Sequence, residues 1–303
     1  MCAFPPGRRG VLLPADDRRT AAAGVALYTA SRKWVVRAQV AAFWFVRWFG
    51  TGLLPGRQAS WEPPCPSGQW AELVQQWEKT LGPLTGFSAY ERRQAARTGL
   101  TFVATREGRG VAVIKLRDNP TSLEREQAAL VVIEEQQPRS FRSPRPLGSG
   151  NVGEYFWAAQ ECVFTRPHHA AFDAPDGLFS EISSIVAQVT PPPSPVTGVG
   201  ELVASHGDLT PWNLRVDHRG VLWLFDWEDL GWGPEDGDRT YFCVTSAALG
   251  GPAVSGDHSP VAVDYWRSAL HRRSEQNPED VRFGEKVLTQ LTAADLLRSA
   301  LRR

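Results

Sequence analysis

Asp208, Asn213 and Asp226 are the residues of this chain whose types and spacing can do chemistry. The first two stand in Ser205-His206-Gly207-Asp208-Leu209-Thr210-Pro211-Trp212-Asn213, the third in Val221-Leu222-Trp223-Leu224-Phe225-Asp226-Trp227-Glu228. Two carboxylates and a carboxamide in this order suit phosphoryl transfer from a metal-bound nucleotide. In that chemistry one Asp orients an attacking hydroxyl and accepts its proton, and an Asn on the same loop ligates magnesium. A second Asp, at the exit of the next strand, holds the metal against the phosphates.

Such groups work only if other elements hold them in place. Val221 to Phe225 is an apolar, β-prone run that delivers Asp226 at its exit. Upstream, residues 84 to 90, 100 to 105 and 111 to 116 are β-prone. The last two are joined by Glu107-Gly108-Arg109-Gly110, a hairpin turn in composition, and the last carries Lys115. Thr121 opens a helix with Glu124 three residues later, the pattern of a capping box. Glu126 shares a helical face with Leu123, Leu130 and Ile133, and a carboxylate turned inward requires a cation. Lys115 is the expected partner; the competing reading leaves Glu126 half-exposed beside Arg125.

The remaining elements follow in order. Residues 138 to 146 form a polar loop, and residues 153 to 164 a strand that leads out of the first lobe. Its end near Glu161 to Val163 is the expected hinge, with backbone groups available to an adenine edge. Helices are expected over 67 to 81, 176 to 190, from 238, over 261 to 273 and over 284 to 302, with a proline-dense loop over 190 to 195 and a turn-rich segment over 229 to 237.

Composition bounds the class. A chain of 303 residues, 42% hydrophobic and 22% charged, is long enough for two lobes with their own cores. Its 33 basic and 33 acidic side chains cancel, which disfavours nucleic acid as a partner. The four cysteines have no metal or redox spacing, so they read as reduced thiols of a cytoplasmic protein. The N-terminus lacks a signal-peptide pattern, and no apolar run is long enough to cross a bilayer.

One region departs from this neutrality. Arg18, Arg19, Arg32, Lys33, Arg37, Arg47 and Arg57 fall between residues 18 and 61, where no acidic residue occurs. Residues 32 to 49 read as an amphipathic helix. Trp34, Val35, Ala38, Ala42, Phe45, Val46 and Phe49 gather on one face, and Lys33, Arg37 and Arg47 on the other beside Trp44 and Trp48. One reading lays this helix on an anionic membrane or an acidic partner. The other packs it on the body of the protein with its arginines solvated.

His206-Gly207-Asp208 with Asn213, and Phe225-Asp226-Trp227-Glu228, resemble the catalytic loop and metal-binding Asp motif of the aminoglycoside phosphotransferase and choline kinase-like family, small-molecule relatives of the protein kinases. Val111 to Lys115 is similar to the strand whose lysine contacts the nucleotide phosphates, and Asp238 lies where the family often has an Asp opening the next helix. The similarity is specific over about residues 203 to 242, looser over 84 to 164, and absent over 1 to 65.

This resemblance implies an α+β, bilobal, protein-kinase-like fold with a small β-rich N-lobe, a larger mainly helical C-lobe and an extra helical N-terminal extension. The expected divisions are 1 to 65 for the extension and linker, 66 to 162 for the N-lobe and 163 to 303 for the C-lobe. The implied roles are catalytic base for Asp208, magnesium ligands for Asn213 and Asp226, and phosphate contact for Lys115 with Glu126 as its partner. His206 orients the loop, Trp212 and Trp227 pack around it, and Glu228 receives no metal role.

The implied activity is an ATP- and magnesium-dependent phosphotransferase acting on a hydroxyl of a small molecule. The alternative is a pseudokinase or nucleotide-binding scaffold. No G-x-G-x-x-G precedes Lys115, so the phosphate-covering turn falls to residues 92 to 99. Acidic and basic side chains nearly balance over residues 251 to 303, which gives a polycationic acceptor no particular support.

Overall fold

The computed structural model describes residues 1–5, 10–54, 61–91, 99–193, 201–255, 257–277 and 281–301. Its N-terminal part is built on one antiparallel sheet of seven strands: β1 (Cys2–Phe4), β2 (Val11–Leu13), β3 (Gly86–Glu91), β4 (Leu100–Arg106), β5 (Arg109–Arg117), β6 (Pro146–Val152) and β7 (Tyr155–Glu161). They lie in the order β1-β2-β3-β4-β5-β7-β6. The β4–β5 hairpin turns through Glu107 and Gly108, both with positive φ, as a tight two-residue hairpin loop requires. Alternate residues of β4 and β5 pack with Leu73 and Trp77 of α3 (Ser67–Leu81) to form the core of this lobe.

The C-terminal part is mainly helical: α5 (Leu178–Val189), α6 (Gly237–Ala248), α7 (Pro260–Gln276) and α8 (Val281–Leu301). Small antiparallel pairings support its loops, through β8 (His169–Ala170), β9 (Leu202–Ser205), β10 (Leu214–Val216), β11 (Leu222–Leu224) and β12 (Gly231–Pro234). Two cores form here. Leu209, Leu214, Leu224 and Trp227 meet α5 and α4 (Pro120–Gln136) in one; Tyr241, Trp266, Leu270 and Leu291 join α6, α7 and α8 in the other. A β-rich first lobe followed by a larger helical one is therefore the architecture, as expected.

Several details differ from the sequence reading. Residues before 65 do contain helices, α1 (Arg18–Leu27) and α2 (Lys33–Phe49), but β1 and β2 run on from β3, so this region shares the first lobe's sheet. Helix α1 seats against that sheet through Ser88, whose hydroxyl donates to the Thr20 carbonyl. At the start of α4, the Asn119 side chain accepts from the Thr121 N–H and Pro120 occupies the first turn, so the cap is Asn119, not a Thr121–Glu124 box. The segment expected as turns over 229 to 237 contains strand β12, paired with β9.

Helix α2 is rotated from the expected face. Gln39, Phe43 and Val46 point inward, and Trp34 and Phe49 stand exposed. The polar Gln39 belongs inside because its amide donates to the carbonyls of Val25 and Tyr28 at the end of α1. Among the described residues no helix is long and apolar enough to cross a membrane.

Candidate active site

Strand β5 pairs with β4 and β7 on its two sides, which fixes Lys115 opposite Thr101 and Ala158. Helix α4 turns Glu126 toward it, with Leu123, Leu130 and Ile133 buried on the same face. The Lys115 ammonium lies 2.7 Å from Glu126 Oε1, 2.8 Å from Asp226 Oδ1 and 2.9 Å from Glu228 Oε1. Arg117 donates to Glu228 from the same strand at 2.9 Å.

Burial works against the ammonium. The carboxylates of Asp226, Glu126 and Glu228 outweigh it and raise the Lys115 pKa. Burial also raises the pKa of Glu126, and the pull of Lys115 does not overcome it because Glu228 and Asp226 lie close by.

The loop after β9 is positioned by its backbone. Gly207 has φ +78°, and a Cβ there would stand 2.1 Å from the Asp229 carbonyl oxygen, so only glycine fits. Asp238, in the first turn of α6, accepts the backbone N–H groups of His206 at 2.6 Å and Gly207 at 3.1 Å. Desolvation raises the Asp238 pKa despite these donors.

His206 Nδ1 accepts the Asp208 N–H at 3.3 Å, which leaves the ring proton on Nε2 to donate to the Phe225 carbonyl at 3.0 Å. Burial lowers its pKa against the pull of Asp238 and Asp226. A neutral imidazole with both nitrogens engaged ties the Asp208 loop to the Asp226 strand, an orienting arrangement.

Asp208 and Asn213 face each other across this loop. Asn213 Nδ2 donates to the Asp208 carbonyl at 2.9 Å and to its Oδ2 at 3.1 Å. Asp208 Oδ1 takes a hydrogen bond from Arg273 of α7 at 3.0 Å, and Arg273 also reaches the Tyr241 hydroxyl at 3.2 Å. Its guanidinium lies over the rings of Tyr241 and Trp266. Burial opposes the charge on Arg273, but Tyr241, Asp208 and Asp229 together raise its pKa.

All of this opens on one cavity of about 750 Å³ between the lobes. Lys115, Asp208, Asn213, Asp226 and Arg273 line it, as do Glu161, Cys162 and Val163 at the expected hinge. Trp212 lines it too, edge-on to Phe283 of α8. Trp227 is instead a buried packing residue against Phe141 and His206. Leu27 and Thr29, at the end of α1, also border the cavity, and the nearby Ala30 carbonyl accepts from Arg215 of β10 at 2.7 Å. Of the turn expected to cover the phosphates, residues 92–98 lie outside the described residues.

The donor set suits a hard divalent cation. Asn213 spends its amide N–H on Asp208, which leaves its carbonyl oxygen as a ligand. Of the three cluster carboxylates, Glu126 and Glu228 are 1% and 6% exposed, whereas Asp226 is 26% exposed and lines the cavity. Asp226 sits in the left-handed region at φ +64°, which aims the residue after the strand's exit. Among the described residues no group of three or more His, Cys, Asp or Glu could hold a metal alone. Magnesium commonly needs only one or two protein oxygens when phosphates complete its shell.

The sequence-named residues thus meet in one place, Lys115 with Glu126 and Asp226, and Asp208 with Asn213 and His206. Sequence reasoning missed Glu228 as an ion-pair partner, Arg117, Arg273 and the Arg215–Ala30 link. All four depend on contacts between distant segments, and only the acidic residue directly after the Asp226-Trp227 pair carried a local signal.

No family model matches the chain, and no curated protein matches it. Similar solved structures include spectinomycin phosphotransferase APH(9)-Ia in complex with ADP and spectinomycin. It shares 10% identity over 77% of this chain and 99% of that one, with a TM-score of 0.47. APH(2")-IIia with GDP and kanamycin shares 10% identity over 74% and 98%, with a TM-score of 0.44. Amicoumacin kinase hAmiN with AMP-PNP, Ca2+ and Ami shares 12% identity over 77% and 87%, with a TM-score of 0.37. The functional reading therefore stands on the geometry of the site.

Proposed function

We propose that this protein is a small-molecule kinase that transfers the γ-phosphoryl group of ATP, with magnesium, to a hydroxyl of its acceptor. The observation that carries this reading is the convergence of Lys115, Asp226, Asp208 and Asn213 on one cavity, with Glu126 buried behind Lys115. Each side chain then has a task. Lys115, held by Glu126, neutralises phosphate oxygens. Asp226 and the Asn213 carbonyl hold the metal, which when bound shields the charge on the transferring phosphoryl. Asp208 orients the acceptor hydroxyl and takes its proton.

His206, neutral and doubly bonded, keeps the two loops in register and takes no proton in the reaction. The backbone of 161 to 163, which lines the cavity, is where an adenine edge would pair. At the acceptor end, Arg273 beside Asp208 and the aromatic side chains of Trp212, Tyr241 and Phe283 favour a neutral or anionic hydroxyl compound over a polycation.

A second reading, nucleotide binding without transfer, draws on a specific feature. Asp208 and Asp226 each hold a side-chain cation, Arg273 and Lys115. Two measurements separate the readings. Thermal unfolding should shift upward with ATP and magnesium together, and Asp226→Asn should remove the magnesium dependence. A screen for nucleotide consumption with hydroxyl-bearing metabolites then decides between them. Stabilisation with no transfer to any acceptor favours the scaffold, and absence of stabilisation contradicts both.

A further inference from the structure

The outer face of α2 is bare and apolar, which is unusual for a helix on the outside of a folded chain. Trp34 and Trp48 are 67% and 64% exposed, Phe49 66%, and Leu53, just beyond the helix, 71%. Ala38 and Ala41 fill the same arc and are exposed as well. On the opposite side, Gln39, Phe43 and Val46 lock the helix to α1, and Arg18 donates to the Trp48 carbonyl at 2.9 Å. The aromatic face is therefore presented by a fixed helix rather than by a loose end.

Charge indicates what covers it. Lys33, Arg37 and Arg47 are exposed along one edge of the aromatic arc, and no acidic residue occurs between Asp17 and Glu62. A second copy of this chain would bring the same basic edge, so self-association sets like charges together. An anionic lipid surface offers the complement to both features at once: headgroup charge for the arginines and an interfacial layer for the tryptophans. At 17 residues α2 is about 25 Å long, and it lies in the interface plane, since no described helix is apolar enough to span a bilayer.

We propose that α2 is a membrane-docking element, which seats the protein on anionic lipid through Trp34, Trp48 and Phe49 with Lys33, Arg37 and Arg47 as its electrostatic edge. The face is continuous with the catalytic region in the chain, because the turn before α2 carries Ala30, held by Arg215 at the cavity wall. Docking would leave that link in place, because Ala30 lies in the turn before α2 and outside the aromatic face.

The test is co-sedimentation of the full chain with vesicles of phosphatidylcholine alone and of phosphatidylcholine with phosphatidylglycerol, at low and high salt. Three basic residues near an anionic surface predict a preference on the order of a hundredfold for the anionic vesicles, collapsing as salt rises. Replacing Trp34, Trp48 and Phe49 together by Ala should abolish binding with thermal unfolding unchanged, because all three are exposed. Arg37→Gln with Arg47→Gln should remove the anionic preference and its salt dependence. No sedimentation with anionic vesicles overturns the proposal. So does binding that survives the aromatic replacements, or a concentration-dependent dimer that those replacements dissolve, which would assign the face to a second copy.

Discussion

The two ends of the cavity are built on different principles. At the phosphate end, Lys115, Arg117, Glu126, Asp226 and Glu228 converge from β5, α4 and the turn after β11, within 2.9 Å of their partners. At the acceptor end, Asp208 pairs with Arg273 at 3.0 Å, and the surrounding wall mixes aromatic, aliphatic and amide side chains of the last three helices and their ends, among them Tyr241, Leu270, Gln276 and Phe283. The first end is held by the sheet and α4, whose charged side chains pair with one another there. The second is held by one loop and by helices that can vary without disturbing the sheet. Under the proposed function, the difference teaches that the way phosphate moves would be set by the lobe architecture, and the identity of its receiver by α6, α7 and α8.

The largest effect should come from Asp208→Asn. A general base contributes about 10²- to 10⁴-fold, so phosphoryl transfer should fall by that factor while nucleotide-induced stabilisation persists. Lys115→Met tests the other end. It strips the ammonium from three buried or partly buried carboxylates, and removing one partner of a buried ion pair costs about 3–5 kcal/mol. Denaturant unfolding should show that loss together with loss of nucleotide binding. If Lys115→Met proves as stable as the parent chain, the phosphate end is not the structural node described above.

Arg273→Gln sharpens the contrast. The guanidinium is about one-third exposed, so stability should change little. Removal of a charged hydrogen bond to the base should cut turnover roughly tenfold with nucleotide stabilisation intact. A loss of nucleotide binding instead would show that the two ends are not separate.

The smallest effect is on pH dependence. His206 and His168 both have pKa values lowered by burial from 6.5, so the folded state favours their neutral forms. That contribution is complete above 6.5 and is lost as pH falls toward the lowered values, because only the unfolded chain takes up the protons readily. The unfolding midpoint should therefore drop on acidification below about 6.5, and His206→Gln should flatten part of the slope.

Much of the site was legible because its spacing is local. Asp208 and Asn213 share one loop, and Asp226 follows a strand short enough to read from its apolar run. Lys115 and Glu126 were legible as a strand-end cation and an inward helical carboxylate, two positions whose costs cancel only if they meet. Arg273 was not, because a helical arginine on α7 gives no sign that it folds back 65 residues onto Asp208. Glu228 and Arg117 meet across 111 residues for the same reason. In the fold, β1 and β2 are three residues each, too short to show alternation. The face of α2 misled because aromatic residues lie on both sides of that helix and a glutamine occupies its buried centre. Its amide is needed there to satisfy two carbonyls that α1 leaves open.

The most direct test of the account is ADP formation with magnesium, followed for the parent chain and Asp208→Asn side by side across a panel of hydroxyl compounds. The account predicts acceptor-dependent turnover by the parent chain that falls at least about a hundredfold in the variant, with both proteins stabilised alike by nucleotide. Equal turnover by the two proteins would contradict it.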